Sequence, residues 1–228
     1  YSITNKNLES AMIYAIPKEN ILKQLLIQLE SHFILSENEK DGVSKYFEAA
    51  LNLCESNFRA VNNKYYVVTN KKGVFDAFFN PYHSVQYMIF LYYMSHDIYT
   101  HGHCEQLAEK IYYLNKILHS VDLFYAIKLP EKFCAEHPLG SVMGRARYSD
   151  GFFFYQGCTV GGTIDSMGNI SYPIIGKDVH MFANSSILGK CRIGNNVSIG
   201  AGAIVKNQDI PDNVTVFGES PNLIIKVH

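Results

Sequence analysis

From Ile175 to Val205 an apolar residue recurs at every sixth position, through Ile175, Met181, Ile187, Ile193, Ile199 and Val205. Four residues after each of the first five stands Val179, Ser185, Cys191, Val197 or Ala203, mostly small side chains. A period of six fits neither the 3.6-residue turn of an α-helix nor the two-residue alternation of a strand. It fits a parallel β-helix, in which three short strands close one triangular coil and each hexad is one side. The apolar residue then points into the coil, and the small one fits the tight interior beside a corner.

The rest of the chain follows different rules, and the spacing predicts an α+β protein in two parts. Residues 1–120 form an α-helical domain and residues 121–228 the β-helix. In the first part Pro17 opens a helix with Ile21, Leu25, Leu29 and His32 on one face. Ser36 and Glu39 have the spacing of a capping box, ahead of Val43, Phe47, Ala50 and Cys54. Asn80-Pro81 places an N-cap before a proline, ahead of Val85, Met88, Tyr92 and Ser95. A last helix spans about Glu105 to Leu118, and Tyr65–Thr69 reads as extended. After Asp122 the helical period disappears. The polar stretch 162–172 breaks the hexads and is expected to be a loop thrown out from a corner, where function often resides.

Composition narrows the function. The formal net charge is −1, without a basic block, so no nucleic-acid or membrane-surface footprint is expected. The longest apolar run, Tyr87–Met94, is too short to span a bilayer. No secretory signal pattern is visible. Five scattered cysteines without a CxxC pair argue against a zinc site or a disulfide framework and fit a cytoplasmic setting. His96, Asp97, His101 and His103 are grouped at a helix end, where histidines also serve the helix dipole, and no metal is expected there.

A β-helix does not by itself specify an activity. Two such coils side by side leave an elongated groove suited to a long, thin ligand, and chemistry there needs a base. His137 in Glu136-His137-Pro138 is the candidate, with an acid beside it and Asp122 fifteen residues back. A carboxylate against one ring nitrogen fixes the tautomer, and the other nitrogen can then take a hydroxyl proton.

The stretch 122–222 resembles the serine acetyltransferases, members of the hexapeptide-repeat acyltransferases with a left-handed parallel β-helix. Val121-Asp122, the interval to His137, Gly140 and Gly144, Gln156-Gly157-Cys158-Thr159-Val160-Gly161-Gly162 and Gly218-Glu219-Ser220-Pro221 carry the likeness. Tyr82-His83-Ser84-Val85-Gln86 extends it loosely into the helical part. The resemblance implies His137 as general base, Asp122 as its partner, and Glu136 in place of the family's Asp. It implies acetyl-CoA as donor beside Gly161, Gly162, Thr163, Ala183, Ala201 and Lys206. It also implies a homotrimer, or a hexamer of two trimers.

The acceptor side departs from the family. Tyr172 stands where a histidine would precede Pro173, and the acceptor-binding Asp of the helical domain has no counterpart. Tyr172 and His180, the latter at a coil corner, become the candidate acceptor contacts. The resulting expectation is an O-acetyltransferase acting on a sugar hydroxyl of a surface polysaccharide or its precursor. Tyr148, Phe152, Phe153, Phe154 and Tyr155 would offer stacking surface unless they pack inside the coils. The alternatives are serine O-acetylation for cysteine biosynthesis and a trimeric scaffold without activity.

Overall fold

The structure is a computed structural model, which describes residues 12–69, 73 and 75–228. Residues 1–11 of the expected helical domain lie outside the described residues.

Four helices follow the apolar spacing: α1 (Lys18–His32), α2 (Glu37–Val61), α3 (Ser84–Asp97) and α4 (Glu105–His119). Ile21, Leu25 and Leu29 of α1 are buried, whereas His32 is exposed. Ser36 and Glu39 form the capping box. Helix α3 starts three residues later than Asn80-Pro81 suggests. Asn80 Oδ1 accepts from the Tyr82 amide at 3.0 Å and shapes a turn, and His83 becomes the N-cap. Val85–Ser95 are buried throughout, because α3 is apolar on every side and packs between α2 and α4. A three-stranded sheet joins this layer: Phe75–Phe79 pairs parallel with Ile13–Tyr14 and antiparallel with Val67–Thr69.

From Asp122 onward the chain winds as the left-handed parallel β-helix. One wall is a sheet containing Phe133–Ala135, Phe152–Phe154, Val179–Met181, Val197–Ile199 and Val214–Phe217, and a second contains Asp122–Leu123, Val142–Met143, Thr159–Gly161, Ser186–Leu188 and Ile204–Lys206. The third wall is formed by Ile174–Ile175 and Arg192–Ile193. Val179 pairs with Val197 and Ile187 with Val205, a step of 18 residues, or three hexads. Every apolar residue of the six-residue series is buried, as are the five small ones.

Across the extruded segment the step is 27 residues, Met181 pairing with Phe154. The additional nine residues form a hairpin in which Thr163–Ile164 pairs antiparallel with Ile170–Ser171. Inward-facing Val160 and Ile175 stand fifteen apart, so omitting those nine leaves one hexad. The insertion therefore leaves the coil in phase.

Phe133, Phe152 and Phe154 fill the wide first coils, with Tyr148 beside Phe152. Phe153 and Tyr155 point outward, so the five aromatics divide between interior and surface. Helices α2 and α3 cover the open end of the coils. Asn57 Nδ2 donates to the carbonyls of Glu131 and Phe133 at 2.7 and 2.9 Å. The Tyr92 hydroxyl donates to the Ile127 carbonyl and accepts from the Leu129 amide. Both buried side chains take up backbone groups that the strands leave unpaired. Among the described residues no helix is long and apolar enough to cross a membrane.

Candidate active site

Successive coils turn at a stacked corner. Gly140, Gly157, Asn184 and Gly202 all have positive φ there, and the amides of Gly157, Asn184 and Gly202 donate to the carbonyls of Leu139, Gln156 and Ala183. A β-carbon on Gly157 would overlap the Asn184 side chain, which explains the glycine. Leu139, Gln156, Ala183 and Ala201 consequently form a column up the corner.

His137 lies at the foot of this column. Its φ is 50°, in the left-handed region, and its carbonyl accepts from the Leu139 amide at 2.8 Å. That conformation costs a non-glycine residue about 1–2 kcal/mol, and such strain collects at functional positions. The side chain is exposed and lines a cavity of about 420 Å³ between the helical layer and the first coils. His83, His119, Tyr66, Cys134 and Glu136 share its walls.

Glu136 accepts from the Tyr155 hydroxyl at 3.0 Å. Asp122 is engaged elsewhere. The Tyr112 hydroxyl donates to its Oδ1 at 2.7 Å and Lys116 Nζ to its Oδ2 at 2.8 Å. Among the described residues the His137 ring has no hydrogen-bond partner, and none links it to Asp122.

The residues expected around a donor divide between two corners of one wall. Ala183 and Ala201 stand in the His137 column. Gly161 and Lys206 both register with Leu188 at the next corner, about 10 Å of strand away. There Thr163 Oγ1 donates to Asn207 Oδ1 at 3.0 Å, and Lys206 is exposed. Tyr172 packs on Gly162: a β-carbon on that glycine would lie 2.8 Å from the ring.

His180 is not at a corner. It stands mid-strand, between the rungs of Phe153 and Ser198, because Asp178 with φ 52° makes the turn. Its ring lies 5.4 Å from Phe153 in a smaller depression with Lys132 and Asp178, and burial pushes its pKa down. Neither Tyr172 nor His180 lines the His137 cavity.

His83 and His119 do line it, although the sequence assigns neither to the site; His83 stands in the loosely matched segment Tyr82-His83-Ser84-Val85-Gln86. In the sequence His83 reads as a helix-packing residue and His119 as a residue without signal. Three residues of the His-Asp cluster have local partners: His96 Nδ1 meets the Tyr125 carbonyl at 2.7 Å, and His101 Nδ1 meets Asp97 at 2.6 Å.

The fold and the repeat define a hexapeptide-repeat β-helix protein with an N-terminal helical layer. Residues 172–207 match the family model for the bacterial transferase hexapeptide (six repeats). A serine acetyltransferase of Synechococcus elongatus is 35% identical over 107 residues, covering 46% of this chain and 43% of the relative. One from Staphylococcus epidermidis is 34% identical over 120 residues, covering 52% of this chain and 55% of the relative. The chain thus spans about half the length of the curated relatives it matches. The crystal structure of Neisseria gonorrhoeae serine acetyltransferase superposes with a TM-score of 0.70 over 93% of this chain and 80% of that one, at 24% identity. A serine acetyltransferase complex with CoA superposes with a TM-score of 0.65 over 92% of this chain and 84% of that one, at 17% identity. The chain thus carries the bacterial transferase hexapeptide repeat, is similar in sequence over about half its length to serine acetyltransferases, and shares their fold.

Proposed function

We propose that this chain is an acetyl-CoA-dependent O-acetyltransferase with His137 as its general base. The observation that supports this reading best is the strained, exposed His137 at the meeting of a cavity and the corner column. Acetyl-CoA lies along the wall between the two corners. Ala183, Ala201 and Gly161 leave room for its pantetheine arm, Gly162 under the Tyr172 ring and Thr163 border it, and Lys206 meets a phosphate. His137 accepts the proton of the acceptor hydroxyl as that oxygen bonds to the thioester carbonyl carbon. The tetrahedral oxyanion collapses, the C–S bond breaks, and the proton passes to the CoA sulfur. The products are an acetyl ester and CoA. Glu136, held by Tyr155, supplies the negative charge beside the imidazolium.

The names of the relatives favour L-serine as acceptor, the step that feeds cysteine biosynthesis. A sugar hydroxyl is the second reading, favoured by a cavity wall that among the described residues contains neither Lys nor Arg to meet a carboxylate. Tyr172 and His180, lying outside that cavity, would touch only a larger acceptor. A homotrimer places a neighbouring coil across the donor wall, and size measurement in solution tests that. The activity is tested by CoA release from acetyl-CoA with L-serine, with His137→Ala as control. Turnover lost in the variant supports the reading, whereas equal turnover in both proteins removes His137 from it.

A further inference from the structure

Three imidazoles line the cavity, and acetyl transfer uses only one of them, His137. The other two are held in opposite hydrogen-bonding senses. His83 caps α3, its Nδ1 accepting from the Gln86 amide at 3.4 Å. In the neutral ring the proton is therefore on Nε2, which is a donor.

His119 ends α4, and its Nδ1 lies 2.8 Å from Asn115 Oδ1. The core decides which end of that amide faces the ring. Asn115 is buried and its Nδ2 donates to the Met88 carbonyl at 3.0 Å. Oδ1 is thus the acceptor, Nδ1 of His119 carries the proton, and Nε2 is left bare. Burial pushes His119 down to about 4 and holds His83 below the usual imidazole value, so both rings are neutral at pH 7.

We propose that His83 and His119 form the acceptor subsite, and that it selects an uncharged polyhydroxyl compound. One hydroxyl accepts from His83 Nε2, a second donates to His119 Nε2, and a third meets His137. A hydroxyl both donates and accepts, so adjacent hydroxyls of one molecule satisfy both rings. A carboxylate in the same place would find one neutral donor, since among the described residues the wall holds no Lys or Arg and its carboxylate, Glu136, is of like charge. The proposal rests on the acetyl-transfer reading and adds to it only the class of acceptor.

The test measures CoA release by the full chain with L-serine, glycerol and methyl α-D-glucopyranoside, and acetyl-CoA binding separately. At least one of the two polyols is expected to exceed L-serine at least tenfold in kcat/KM. His83→Asn, which keeps a cap for α3, and His119→Phe should each raise the polyol KM tenfold or more while kcat changes less than threefold. Nitrogen-15 NMR of the imidazoles at pH 7 should show the Nε2–H form of His83 and the Nδ1–H form of His119 whatever the acceptor. L-serine as the better substrate, an unchanged KM in the variants, the reverse tautomer at either ring, or bound acetyl-CoA without polyol-dependent release would each overturn the proposal. A chain that binds no acetyl-CoA would instead overturn the acetyl-transfer reading beneath it.

Discussion

Lys116 and Asp122 form an ion pair of 2.8 Å across the junction between the last helix and the first coil. The Tyr112 hydroxyl takes the other carboxylate oxygen, so the acid that spacing assigns to His137 is a clamp between the two parts of the chain. Asp122→Asn is accordingly expected to lower acetyl transfer less than tenfold and to leave the acid limb of its pH profile in place. The pair is partly exposed, and its loss should cost stability only about 0.2–1 kcal/mol. A drop of a hundredfold or more in kcat would show that Asp122 reaches His137 during turnover.

Asn57 ties α2 to the first coil by two hydrogen bonds from one buried amide. Replacing it with leucine strands the carbonyls of Glu131 and Phe133 in an apolar setting. The expected loss is about 1–3 kcal/mol, read as a lower urea midpoint. An unchanged midpoint would mean that water reaches both carbonyls.

His119 makes stability depend on pH. Its pKa is depressed to about 4 in the folded chain, against 6.5 for an unperturbed imidazole. Between those values the unfolded chain binds the extra proton, so stability rises with pH. This contribution is complete above pH 6.5 and is lost as pH falls towards 4. His119→Gln should flatten the dependence of Tm on pH within that window by on the order of 1–2 kcal/mol, after allowance for partial exposure. A variant with the same slope as the parent would place the titration elsewhere.

The hairpin is expected to be dispensable for folding. Removing residues 163–171 joins Gly162 to Tyr172 and restores the six-residue interval from Val160 to Ile175. The shortened chain should keep its strand content by circular dichroism, with Tm within about 5 °C of the parent. Thr163 borders the donor wall, so acetyl-CoA affinity should fall. Collapse of the fold would show that the hairpin braces the coil through the Thr163–Asn207 contact.

The coil period was legible in the sequence because each inward position depends only on the coil above and below it. That local, repeating constraint made Ile175, Met181, Ile187, Ile193, Ile199 and Val205 interior positions before any tertiary contact was known. His137 was singled out by the family resemblance around it, and the structure places it on the wall of a cavity. His180 was misplaced because alternation says that it faces outward but not where the strand turns, which depends on Asp178 adopting positive φ.

By itself the sequence determined the solenoid and the four helices, and it singled out His137 for the role proposed above. Only the tertiary structure decided what surrounds that residue. The cavity gathers Tyr66, His83, His119, Cys134 and Phe153, residues up to 87 positions apart, when α2 and α3 close the end of the coils. The partner of Asp122 and the opposed tautomers of His83 and His119 depend on that closure too. A hydrogen bond acts over about 3 Å, so its partners are set by where helices pack and not by their spacing along the chain.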